Sequence, residues 1–65
     1  MKNCIAELRK QQGISQDVLA KRCNVSRQTI NAIENAKYDP SLTLAFRLAE
    51  VLHTTVDELF QKGRG

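Results

Sequence analysis

The chain has 65 residues and a formal net charge of +3, with 42% hydrophobic and 26% charged residues. That length leaves room for one small domain, residues 1–65, with a thin stability margin, because a chain of about 60 residues buries only roughly 60% of its unfolded surface. It excludes an enclosed substrate pocket beside the core, the apolar runs are too short to cross a bilayer, and the basic balance suits a polyanionic partner.

Cys4, Cys23 and His53 match no zinc spacing, so neither a metal nor another cofactor is expected. No secretory leader precedes the thiols, which argues against a disulfide and for a cytoplasmic chain. Cys23 reads as a small apolar core residue and Cys4 as a partly exposed thiol.

The apolar spacing is helical from end to end. Ile5 and Leu8 share one face of a first helix over about Lys2 to Gln12, stopped by Gly13. Ser15 offers an N-cap oxygen to a second helix, and Asp17 places negative charge in its first turn. Leu19, Ala20 and Cys23 form its inward stripe, and it ends near Arg22 or Cys23. Asn24 tolerates the left-handed backbone of a tight exit, Val25 points inward, and Ser26 caps a third helix from Arg27 to Glu34 with Ile30 and Ile33 buried. Asn35 to Pro40 reads as a loop with Tyr38 packed on the domain. Ser41 caps a fourth helix over Leu42 to Leu52, where Leu44, Leu48 and Leu52 recur on one side. Thr55-Val56-Asp57-Glu58 forms a capping box in which Glu58 reaches back to the Thr55 amide. The fifth helix carries Val56, Leu59 and Phe60, and residues 61–65 read as frayed. The Ser or Thr caps of these apolar segments agree with one another and predict an all-α fold of five short helices.

The outer face of the third helix carries the chemistry. At about 100° per residue, Ile30 and Ile33 define the buried direction and Gln28, Asn31, Ala32 and Asn35 collect opposite it, with Arg27 flanking. Glutamine and asparagine can donate to and accept from adenine together, and arginine can donate twice to guanine. Ala32 removes bulk for close approach to a groove floor or a thymine methyl, and Glu34 is the only acid, at the inner border. Arg27 opposes the macrodipole of its helix, a placement against a local rule. Patterning alone serves a solvated polar face equally well.

The run Ser15-Gln16, Leu19-Ala20, Asn24-Val25-Ser26, Gln28-Thr29-Ile30, Ile33-Glu34-Asn35 and Lys37-Tyr38-Asp39-Pro40-Ser41 resembles the helix-turn-helix of Cro and phage-repressor regulators, the XRE family. The likeness extends through Leu44, Ala49, Leu52 and Asp57-Glu58-Leu59-Phe60, with the motif itself at about 16–35. It implies a five-helix, lambda-repressor-like, sequence-specific DNA-binding domain that regulates transcription, as a repressor or by activation. On that resemblance Ala20 is small where the third helix crosses, Arg27, Gln28, Asn31 and Ala32 meet base edges, and Gln16, Asn35, Lys37 and Tyr38 hold phosphates. Arg9 and Glu34 match an ion pair tying the first helix to the third. Ala36 and His53 stand where glycine is frequent, so positive φ there would mean strain, and Val18 replaces a frequent charge.

The resemblance implies a homodimer on a pseudo-palindromic duplex operator, with Leu59 and Phe60 as candidate dimer anchors or as core closers. A rival is an antitoxin-like DNA binder governed by a second protein, and another is an interaction module with no DNA role. An enzyme is not expected: the chain has no nucleophile–base pairing, carboxylate dyad or glycine-rich phosphate loop. His53 as a pH switch or ligand lacks a second ligand and a charge partner.

Overall fold

A computed structural model describes residues 2–60; the expectation for residues 61–65 lies outside them. The described chain holds five helices and no strand: α1 Ile5–Gln11, α2 Gln16–Cys23, α3 Arg27–Glu34, α4 Leu42–Val51 and α5 Val56–Leu59.

Four of these helices begin with the expected cap. The side-chain oxygens of Ser15, Ser26, Ser41 and Thr55 accept from the amides of Val18, Thr29, Leu44 and Glu58, satisfying donors that a helix start leaves free. The capping box is only half made, a correction: the Glu58 carboxylate accepts from the Thr54 hydroxyl at 3.1 Å rather than from the Thr55 amide. The first helix also starts later than its pattern predicts, because residues 3 and 4 have other partners. The Asn3 side chain donates to the Ile33 carbonyl at 2.8 Å, and the Cys4 amide donates to the Leu59 carbonyl at 3.0 Å. These bonds tie the start of the chain to α3 and α5.

Four helix exits share one closure. Ile14, Val25, Lys37 and Thr54 each donate to the carbonyl five residues back, at 2.9–3.0 Å, and the residue before each donates three back. This is the double-bonded exit that needs a left-handed residue. Those residues are Gly13 (φ 69), Asn24 (φ 61), Ala36 (φ 58) and His53 (φ 57). Gly13 takes that backbone freely and Asn24 tolerates it, whereas Ala36 and His53 carry steric strain.

The core is apolar throughout. Leu19, Ala20 and Cys23 of α2, Ile30 and Ile33 of α3, and Leu44, Ala45, Leu48 and Ala49 of α4 are all buried. Ile5, Leu52, Leu59 and Phe60 close it. Ala20 is buried in α2, which packs on both α3 and α4. The helix ends are fastened by side chains as well: Gln12 Nε2 donates to the Leu52 carbonyl at 2.7 Å and Arg47 Nη1 to the Cys23 carbonyl at 3.3 Å.

The strained exits give a direct test. Ala36→Gly and His53→Gly should each raise unfolding free energy by about 0.5–1 kcal/mol, the left-handed penalty less the entropy glycine adds to the unfolded chain. Urea titration should show a higher midpoint at unchanged slope.

Candidate nucleic-acid interface

Ser26 starts α3 with two bonds, from the Thr29 amide at 3.1 Å and with the Thr29 hydroxyl at 3.0 Å. These bonds fix where α3 begins, and Ile30 and Ile33, each 1% exposed, fix which side faces in. Arg27, Gln28 and Asn31 are exposed as the pattern requires, and Ala32 is half-buried. Gln16, Arg27, Gln28 and Asn31 line one concavity of about 270 Å³ between the start of α2 and the outer face of α3. Four residues singled out from the sequence are thus brought to one place.

Asn35 caps the end of α3 and is exposed. Its Nδ2 donates to the Asn31 carbonyl at 3.0 Å and to Asn31 Oδ1 at 3.2 Å, which couples two expected contact residues. Lys37 and Tyr38 follow in the α3–α4 loop. Tyr38 is 52% exposed, which corrects the expectation that it packs on the domain. The ring lies two residues beyond the left-handed turn at Ala36, in the exposed α3–α4 loop.

Behind the outer face of α3 lies a polar knot. Arg9 Nε meets Glu34 Oε2 at 2.8 Å, with side-chain exposures of 11% and 7%. Arg9 Nη1 donates to the Ile14 carbonyl at 3.0 Å, and Gln16 Nε2 donates to Glu34 Oε1 at 2.8 Å. The Gln16–Glu34 bond has no counterpart in the sequence pattern, since it joins positions 18 apart. Glu34 thus turns its charge inward. The outer face is still not free of acid: Asp17 of α2 lies 3.6 Å from Arg27, with both side chains well exposed. Arg27 therefore has a partner for the charge that opposes its helix dipole.

Of the candidate dimer anchors or core closers, Leu59 has no exposed surface and closes the core, so it has nothing to offer a partner, while Phe60 is 9% exposed and closes the core with an edge on an outer groove. The exposed large apolar side chains on α4 are Leu42, at 68%, and Phe46, at 57%. Helical geometry could have found them, since both fall about 160° from Leu44 at 100° per residue. Beside them Pro40, Leu42, Ala45, Val56 and Phe60 line a groove of about 300 Å³. Val18 is 38% exposed.

Neither thiol is poised as a nucleophile. Burial, then the Glu7 charge, pushes the Cys4 thiol above its ordinary range. Burial likewise raises Cys23, against a smaller opposing pull from Arg47. Among the described residues no group of three His, Cys, Asp or Glu side chains could hold a metal ion, and no helix is long and apolar enough to cross a membrane.

The helix-turn-helix family model matches residues 5–59. The chain belongs to the helix-turn-helix family. It is 47% identical over 60 residues to an HTH-type transcriptional regulator of Methanocaldococcus jannaschii, covering 92% of this chain and 91% of that one. It is 40% identical to the HTH-type transcriptional regulator YgzD of Bacillus subtilis, with the same coverage of 92% and 91%. Among solved structures it superposes on the restriction-modification controller protein C.AhdI of Aeromonas hydrophila with a TM-score of 0.79, 32% identity, and coverage of 86% of this chain and 85% of that one. It superposes on a chain of the SinR–SinI complex with a TM-score of 0.81 and 27% identity, covering 89% of this chain and 57% of that one. This helix-turn-helix chain is a lambda-repressor-like, XRE-type member of a family of DNA-binding transcriptional regulators.

The acid beside the outer face of α3 yields a prediction. Asp17→Asn should lower stability by about 0.5–1 kcal/mol, because the exposed pair contributes little and the negative charge in the first turn of α2 is lost with it. It should tighten duplex binding roughly threefold at low salt, by removing a negative charge near the phosphates. Binding isotherms at two salt concentrations check this, and the gain should shrink at the higher one.

Proposed function

We propose that the chain is a repressor that binds a pseudo-palindromic duplex operator as a homodimer, each α3 lying in a major groove and the bound protein occluding a promoter. The observation that carries this reading is the concavity in which Gln16 of α2 meets Arg27, Gln28 and Asn31 of α3, all forked donors or acceptors, open to a partner. Arg27, Gln28 and Asn31 take base edges, with Ala32 beside them for a close apolar contact. Gln16, Asn35, Lys37 and Tyr38 take the flanking phosphates. In this class of docking, half-site centres lie about 34 Å apart or at a multiple of that. The chain is neither an enzyme nor cofactor-dependent and works in the cytoplasm, with no membrane partner.

A second copy is favoured because one small module buries too little surface for tight specific binding. The exposed Leu42 and Phe46 of α4, continuous with the groove lined by Val56 and Phe60, offer it an apolar surface. That surface also favours a second reading, an antitoxin-like regulator whose main partner is another protein; the SinR–SinI neighbour is a complex of two proteins. Sedimentation separates the two. A concentration-dependent dimer weakened by Phe46→Asp supports the homodimer, and a strict monomer at high concentration removes it.

Two substitutions test the division of roles on the DNA side. Gln28→Ala should cost about 1–3 kcal/mol of operator binding and relax preference at one base pair. Lys37→Ala should weaken binding to every sequence and lower the salt slope by about 1. An equal, sequence-independent loss from both would contradict the assignment.

A further inference from the structure

We propose that Glu34 is a positioning residue of the DNA site, holding the carboxamide of Gln16 in one orientation before any duplex arrives. This rests on the reading of Gln16 as a phosphate contact and adds what orients it. Gln16 Nε2 and Arg9 Nε reach the two Glu34 oxygens at 2.8 Å each, and Arg9 Nη2 adds a longer bond of 3.4 Å. A carboxylate only accepts, so the amide nitrogen of Gln16, not its oxygen, must be the atom turned inward. The bond is charge-assisted, and the acceptor is 7% exposed, where water competes little.

One N–H of Gln16 is consumed in this way. A phosphate oxygen also only accepts, so the second N–H is the donor left for it. Gln16 is half-buried and lines the same concavity as Arg27, Gln28 and Asn31. Its rotamer freedom is therefore lost on folding and not again on binding, which is preorganisation.

The choice of residue at position 34 supports this role. Glu34 is the last residue of α3, where the helix dipole disfavours negative charge. Its pairing with Arg9 largely offsets the desolvation of two charges, and apolar side chains of similar size would fill the space as well. What only the carboxylate supplies is a pair of fixed acceptors, one for Arg9 and one for Gln16.

The test combines a spectroscopic and a binding arm. In the DNA-free parent chain the Gln16 side-chain amide should give an ordered, resolved proton pair, unlike that of exposed Gln28. The double substitution Arg9→Met with Glu34→Met removes the acceptor while keeping volume, and should move the Gln16 signal to the averaged position of Gln28. Gln16→Ala should weaken binding about tenfold in the parent chain, on a pool-selected duplex and on a scrambled one alike, and less than about twofold in the double-Met chain once circular dichroism shows it folded. A Gln16 amide as mobile as Gln28 in the parent chain overturns the proposal, whether or not the double variant folds. An equal loss from Gln16→Ala in both backgrounds overturns it too. If the parent chain binds no duplex, the DNA reading falls, and with it Glu34's part in binding, whereas an ordered amide still upholds the Gln16–Glu34 bond.

Discussion

The Glu34 carboxylate fastens together three segments that apolar packing alone leaves free to slide. Ile30 and Ile33 of α3 are buried in one core with Leu19 and Ala20 of α2, against which α3 packs, but hydrophobic contact is non-directional. It sets which face is inside and says little about rotation or axial shift by a fraction of a turn. The bonds from Arg9 and Gln16 to Glu34, and from Arg9 to the Ile14 carbonyl, supply direction. They link α1, the α1–α2 turn, the first residue of α2 and the last residue of α3. The rotation and axial position of α3, and with them the placement of exposed Arg27, Gln28 and Asn31, therefore depend on this knot behind them.

The helix exits show a second constraint at work. Each of the first four helices has to turn sharply, because so short a chain has few residues for connections, and each uses the same left-handed closure. Two of the residues in that backbone, Ala36 and His53, are poorly suited to it. The strain is held by what surrounds it: bonds on both sides close each turn, and the following residues have fixed work. After His53 the chain must enter the cap at Thr55. After Ala36 it must carry Lys37 and Tyr38 past the end of α3 into solvent.

Features that depend on neighbours within a few residues were legible in the sequence. Ser15, Ser26, Ser41 and Thr55 could be placed as caps because capping is a bond to the third residue on. The inward sides of α2, α3 and α4 followed from a period of 3.6. The outer face of α3 followed from the same projection, and with it Arg27, Gln28 and Asn31 of the concavity, whereas Gln16 of α2 followed only from the family resemblance. Apart from the half-made capping box at Glu58, a local choice between Thr54 and Thr55, the failures on hydrogen bonding were long-range. Nothing near Asn3 and Cys4 in sequence indicates that Ile33 and Leu59 will take their hydrogen bonds, and those bonds delay α1. Nothing near Gln16 points to Glu34, and nothing near Asp17 points to Arg27. Leu59 and Phe60 could close the core or face outward on periodicity alone; packing against α4 decided it. The error at α4 was of another kind, since the spacing of Leu42 and Phe46 already put them opposite Leu44.

The outer faces of α3 and α4 are chemically opposed, and that opposition argues for two different partners. A phosphate-lined groove rewards donors and cations and gives nothing to a phenyl ring in water. A protein surface rewards buried apolar area and penalises amides left without partners. The α3 face offers Arg27, Gln28 and Asn31 and the α4 face offers Leu42 and Phe46, so neither could take the other's role. Both helices spend their inner faces on the same small core. Covering the outer side of α4 would therefore add apolar burial that a chain of this size lacks, and association there would stabilise the fold by mass action. In the proposed homodimer, pairing through that face would also bring two copies of α3 to one duplex.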